Sequence, residues 1–225
     1  MKGKKLLLLA VALLMFAQIA QTLYSPALAD IGQAFTVTAQ ETAQMLSVYF
    51  LAFAFGVVVW GRMCDRIGRR PSMLAGLALY AGASVLALSV STFNALLMAQ
   101  ALAAFGAAVG SVVTQTVLRD RFKGAELGQV FSVMGIALAA SPAIGLFTGA
   151  SLVQVFGYRG VLGCLLALSL GLWLWCLRDL PETRPQVVKA PALFETLCAM
   201  LRDRDIWRST LLVAAFNIAL FSYYS

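Results

Sequence analysis

The chain has 225 residues, 61% of them hydrophobic and only 12% charged, with a formal net charge of +7. Soluble domains average about 25% charged residues, so a soluble globular fold is excluded. A mean hydropathy of +0.85 points instead to helices that cross a bilayer. Runs of about 20 apolar residues, the length a bilayer demands, predict helices at about 6–25, 43–61, 72–91, 94–118, 128–152 and 157–177. A further apolar run from about 207 begins a seventh. The chain then divides into an all-α six-helix bundle over 1–177, a central loop over 178–206, and a partial seventh transmembrane helix over 207–225.

The basic excess follows this pattern and does not indicate nucleic acid. Lys2, Lys4 and Lys5 precede the first run, and Arg62, Arg66, Arg69 and Arg70 lie between the second and third. Arg119, Arg121 and Lys123 lie between the fourth and fifth; Arg178, Arg184, Lys189, Arg202, Arg204 and Arg208 follow the sixth. Only Arg159 falls on the other side, so the positive-inside rule places the N-terminus in the cytoplasm. A rival reading applies to the first run. Lys2 to Lys5, the apolar Leu6–Ala17 and Ala27-Leu28-Ala29 also fit a cleavable signal peptide. Asp30 faces outside under either reading.

In the first helix Gln18, Gln21, Thr22 and Ser25 fall at i, i+3, i+4 and i+7, one helical face. In the fourth, Gln100, Ser111 and Gln115 share a stripe with Ala104, Ala107 and Ala108. Amides avoid lipid, so both stripes face inward. They read equally as a cavity lining or as interhelical hydrogen bonding worth about 0.6–2 kcal/mol per contact. Tyr49, Phe50 and Phe53 read as packing residues, with aromatic cavity walls as the alternative. Gly106 with Gly110, and Gly145 with Gly149, are Gly-x-x-x-Gly pairs that let backbones approach. Pro142 lacks an N–H and is expected to kink the fifth helix. On the last run Asn217, Ser222, Tyr223 and Tyr224 are further cavity candidates.

Enzymatic and metal chemistry find few groups. There is no histidine, so His-based metal sites, general bases and proton relays are ruled out. All ten acidic residues lie in loops or at span ends, whereas an intramembrane enzyme or proton pump needs ionisable groups at depth. Cys164 and Cys176 sit in the sixth run, Cys64 and Cys198 on the reducing side, and no Cys-x-x-Cys occurs. No cofactor is expected.

The segment between the second and third runs is the densest in charge. Gly61, Asp65, Arg66, Gly68, Arg69 and Arg70 match Gly-x-x-x-Asp-Arg-x-Gly-Arg-Arg/Lys at every position. This resembles the signature loop between the second and third helices of the major facilitator superfamily. Leu180-Pro181-Glu182-Thr183 resembles the Leu-Pro-Glu-Thr found after that superfamily's sixth helix. Ala140-Ser141-Pro142-Ala143-Ile144-Gly145 resembles its exporters' fifth-helix motif, with Leu146 where antiporters usually carry a second glycine. Tyr24-Ser25-Pro26-Ala27-Leu28, Gly106 to Asp120, and Gly157-Tyr158-Arg159-Gly160 resemble the bicyclomycin/chloramphenicol-resistance branch of drug:proton antiporters.

The resemblance implies an N-terminal half of a major-facilitator fold, a 3+3 inverted repeat with binding at the midplane. It implies a multi-pass protein of the bacterial inner membrane with a small-molecule substrate, protons as coupling ion, and a C-terminal half or second subunit as partner. Two departures stand out: Gln100 aligns with an arginine of the branch, and Thr22 with an aspartate. Asp65, or groups beyond the end of this chain, remain as coupling candidates. Charge and position suggest that Asp65, Arg66 and Arg69 form a cytoplasmic latch with Asp120. Three readings of function stand: a proton-coupled drug exporter, an exporter of a sugar or metabolite, and an inactive truncated half acting only in membrane assembly.

Overall fold

The computed structural model describes residues 2–184, 203, 205–212 and 214–215. Secondary structure there is entirely helical. The chain forms two compact units, Met1–Pro185 and Gln186–Ser225. In the second, residues 205–212 and 214–215 are helical. Asn217, Ser222, Tyr223, Tyr224 and Cys198 lie outside the described residues.

The first unit contains α1 (Lys2–Thr22), a 3₁₀ turn (Ser25–Ala27), α2 (Leu28–Phe35), α3 (Ala39–Ile67), α4 (Arg69–Ser89), α5 (Phe93–Arg121) and α6 (Gly124–Asp179). Gly157 leaves helical geometry at φ 64°, ψ −168° and divides the 56-residue α6 into arms 124–156 and 158–179. Each arm exceeds the ~20 residues a span requires. The bundle therefore has six crossings: α1, α3, α4, α5 and the two arms of α6.

Helix ends follow local chemistry more than hydropathy. The second span starts at Ala39, earlier than its apolar window, because Thr38 and Glu41 form a capping box. Thr38 Oγ1 accepts from Glu41 N at 3.2 Å, and Thr38 N donates to Glu41 Oε2 at 2.7 Å. The first helix stops at Thr22, where Pro26 and the 3₁₀ turn redirect the chain into the short amphipathic α2. Ser25 is thereby removed from the polar face of α1 and is exposed.

Small residues let α5 take the centre of the bundle. Ala99, Ala104, Ala107, Ala108, Val109 and Val113 have no exposed surface. A methyl group on Gly106 would lie 2.8 Å from Gly76 O and Tyr80 N, and one on Gly110 would lie 2.9 Å from Leu13 O. Backbones of α4 and α1 thus rest directly on α5. On its other side Gly56 of α3 faces Phe105 O, and Trp60 Nε1 donates to that same carbonyl at 2.8 Å. Exposed apolar side chains such as Leu51, Phe55, Ile136 and Phe147 cover the outer faces of α3 and α6, as a lipid solvent permits.

Gly106→Val is expected to lower the unfolding midpoint in detergent, at a cost of about 1–3 kcal/mol from overpacking. Gly82→Ala, in open space, should leave the midpoint unchanged.

Candidate functional site

The basic end of the bundle gathers the signature loop, the end of α5 and the residues after α6. Gly68 sits at φ 108°, ψ 166°, a region open essentially to glycine alone. It turns the chain from α3 into α4 within one residue. With no side chain at this N-cap, the first amides of α4 need an acceptor from elsewhere. Glu182 provides it: Arg69 N donates to Oε1 at 2.9 Å and Arg70 N to Oε2 at 3.1 Å. A methyl on Gly68 would lie 2.6 Å from Glu182 Oε2, so glycine is required for space as well as for its dihedrals.

Arg69 is the hub. It is 5% exposed, and Nε donates to Asp120 Oδ2 at 2.8 Å. Its NH1 donates to Cys64 O at 3.2 Å and lies 3.6 Å from Asp65 Oδ1. Asp120 Oδ2 also accepts from Thr183 Oγ1 at 3.0 Å. Arg70 NH2 donates to Leu177 O at 2.7 Å. One network therefore ties the ends of α3, α4, α5 and α6 together. Of the two aspartates beside the Arg69 guanidinium, Asp65 is the more open, at 47% side-chain exposure. Arg66 is exposed and makes no ion pair among the described residues. Gly61 is an ordinary contact, its methyl position 3.7 Å from Val112 Cγ1.

Partial desolvation raises the Glu182 carboxyl, but backbone N–H bonds from Arg69, Arg184, Arg70 and Thr183 outweigh it. Its pKa is held below the ordinary 4.5.

The polar stripes divide. Gln18, Gln21 and Thr22 on α1, with Ser111 and Gln115 on α5, remain partly exposed, while Gln100 is 6% exposed. Ala104, Ala107 and Ala108 are buried in helix packing, with Ala108 against Gly56. Thr22 donates to Gln18 O at 3.0 Å and packs on Gly145. Gly149 receives the backbone of Leu23. Tyr49 is buried and stacks on Phe53 at 6.0 Å, while Phe50 is 41% exposed. Pro142 does not break the fifth span: within α6 the dihedrals leave the helical range at Gly157. Next to the proline, Ser141 Oγ donates to Ala137 O at 2.6 Å, one residue before the Leu138 carbonyl that the ring leaves without a helical donor.

Two features escaped the sequence reading. Leu180-Pro181-Glu182-Thr183 is visible as a motif, but not that Glu182 reaches back to cap α4. Asp30 lies beside Gly157, and no spacing signals that proximity.

A bundle of apolar crossings clasped at one end by a buried arginine network defines a multi-pass helical membrane protein of the kind built from repeats. Residues 10–225 match the Major Facilitator Superfamily, and the chain belongs to it. It is 32% identical to Multidrug resistance protein D of Escherichia coli (strain K12), covering 84% of this chain and 48% of that protein. It is 30% identical to a Chloramphenicol resistance protein of Pseudomonas aeruginosa, covering 94% of this chain and 50% of that one. Its fold superposes on the peptide transporter POT with TM-score 0.71 at 12% identity, covering 97% of this chain and 46% of that one. The chain spans about half the length of the curated relatives it matches.

Asp120→Ala should cost about 2–4 kcal/mol of unfolding free energy, toward the lower end for a broken buried pair, measured by denaturation in detergent. The Glu182 tie should be present above pH 4.5 and lost as pH falls below it through the lowered folded value. The difference in unfolding midpoint between the wild type and Glu182→Gln should therefore be full at pH 7 and vanish on acidification.

Proposed function

We propose that this chain is a six-helix half of a proton-driven exporter of small amphipathic compounds in the bacterial inner membrane. Its N-terminus and basic end face the cytoplasm. The observation that carries the reading is the Asp65–Arg69–Asp120 network, a compact charge cluster at the cytoplasmic ends of three spans. Such a cluster has two arrangements, closed and broken, as alternating access requires. Asp65 is the coupling candidate because it is the more exposed of the two aspartates paired with the Arg69 guanidinium. Relatives named for multidrug, chloramphenicol and bicyclomycin resistance support drug-like cargo. Gln18, Gln21, Ser111 and Gln115 supply neutral hydrogen-bonding groups on the partly open faces of α1 and α5, suited to uncharged polar portions of such compounds. The full cavity forms with a second six-helix unit, a reading supported by the half-length match to the relatives.

The test is transport by the chain reconstituted in proteoliposomes under an imposed pH gradient, with chloramphenicol and ethidium as probes. Gradient-driven movement that Asp65→Asn abolishes is the expected result. Movement of sugars instead would transfer the reading to a metabolite exporter. No movement by the chain alone, with none gained beside a second half, would leave an assembly module.

A further inference from the structure

The end of the bundle opposite the arginines carries a second device built on the same plan. Gly157 precedes the arm 158–179 as Gly68 precedes α4. Both glycines occupy the same glycine-only region, φ 108°, ψ 166° and φ 64°, ψ −168°. Each opens the N-terminus of the third helix in its three-helix repeat, and beside each turn lies an aspartate that follows or ends the first helix of the other repeat. At the basic end that aspartate is Asp120, at the end of α5, held by the Arg69 side chain while Gly68 itself faces Glu182. At the opposite end it is Asp30, in the first turn of α2. A methyl on Gly157 would lie 3.3 Å from Asp30 Oδ2. The interval from Asp30 to Asp120 equals that from Gly68 to Gly157 to within one residue, as an inverted repeat demands.

The two devices differ at the residue after the glycine, and the basic end alone has the Glu182 cap among the described residues. Arg69 follows Gly68 and pairs with Asp120 at 2.8 Å. Tyr158 follows Gly157, and its ring packs on Phe35 at 5.9 Å, which in turn meets Phe93. Asp30 therefore faces the amide dipoles of a helix N-terminus where its counterpart has a full positive charge. The remaining cation of this segment, Arg159, is exposed and its Nε donates to Tyr158 Oη at 3.4 Å.

We propose that Asp30 and the Gly157 turn form an outer brace, the weaker inverted counterpart of the Arg69–Asp120 clasp. It holds the outer end of the first span against the sixth. That span end carries Gln21 and Thr22, and it is also held by the packing of Thr22 and Leu23 on Gly145 and Gly149 and of Phe35 on Tyr158. A strong ion-paired clasp at one end and a dipole-based brace at the other bias the bundle toward loosening at the Asp30 end. The brace goes beyond the exporter reading and needs neither drug nor proton transport.

The test labels Gln21→Cys with a membrane-impermeant maleimide in intact cells and in inverted vesicles, with the parent chain giving the background from native cysteines. Asp30→Asn should speed labelling about two- to five-fold, the size of a lost charge–dipole contact. Raising ionic strength from ~0.01 M to ~0.15 M should speed labelling of the Asp30 protein and leave Asp30→Asn unchanged. Tyr158→Arg, which supplies the missing cation, should slow labelling. Equal rates in Asp30 and Asp30→Asn proteins, with no salt response, overturn the brace. A wrong membrane orientation would exchange the two faces without altering these ratios, so it is read separately.

Discussion

Contact between backbones at α5 is the constraint on which the rest of the bundle depends. Lipid offers no hydrophobic drive for helices to associate, so they are held by close van der Waals approach and a few hydrogen bonds. Gly106, Gly110 and the alanines of α5 permit that approach to α4 and α1, while Gly56 brings α3 onto Phe105. Trp60 and Trp173 then use their indole N–H groups on main-chain carbonyls of neighbouring helices. With the helices this close, their ends converge at two faces, and both charged devices depend on that convergence.

The spanning segments keep their cations and acids at the ends, where water reaches them. Burying Arg69 is affordable only because its guanidinium is paired with Asp120 and hydrogen-bonded to Cys64 O. Its planar fork serves several acceptors at once, which lysine does not. Asp120 in turn is shared with Thr183, so the clasp joins the two three-helix repeats. Such a hub responds as a unit when one member is protonated or displaced.

Much of this was legible from residues alone. Spans followed from apolar length, and Arg69 with Asp120 from two charged segments on one face. Boundaries were less legible, because the start of α3 is set by Thr38 and Glu41, outside the apolar window. The division of α6 near Gly157 was legible, since the apolar runs 128–152 and 157–177 read as two helices, but not that a single glycine makes the turn. Pro142 lies within the helical part of α6, and the dihedrals depart at Gly157. Four of the six residues in the stripe on α5 proved to be buried, because periodicity shows a shared face and not what covers it. Glu182 and Asp30 act across long sequence separations, and local pattern carries no information about such partners.

The cap on α4 also has a consequence in time. Arg69 N finds its acceptor 113 residues further along the chain. At ordinary translation rates that interval takes roughly 5–25 s. Throughout it the third span can be threaded into the bilayer while its leading amides have only headgroups or water to bind. Insertion of the spans and closure of their basic face are thus separate events in biogenesis. Emergence of Leu180-Pro181-Glu182-Thr183 from the ribosome marks the moment when the nascent bundle can lock.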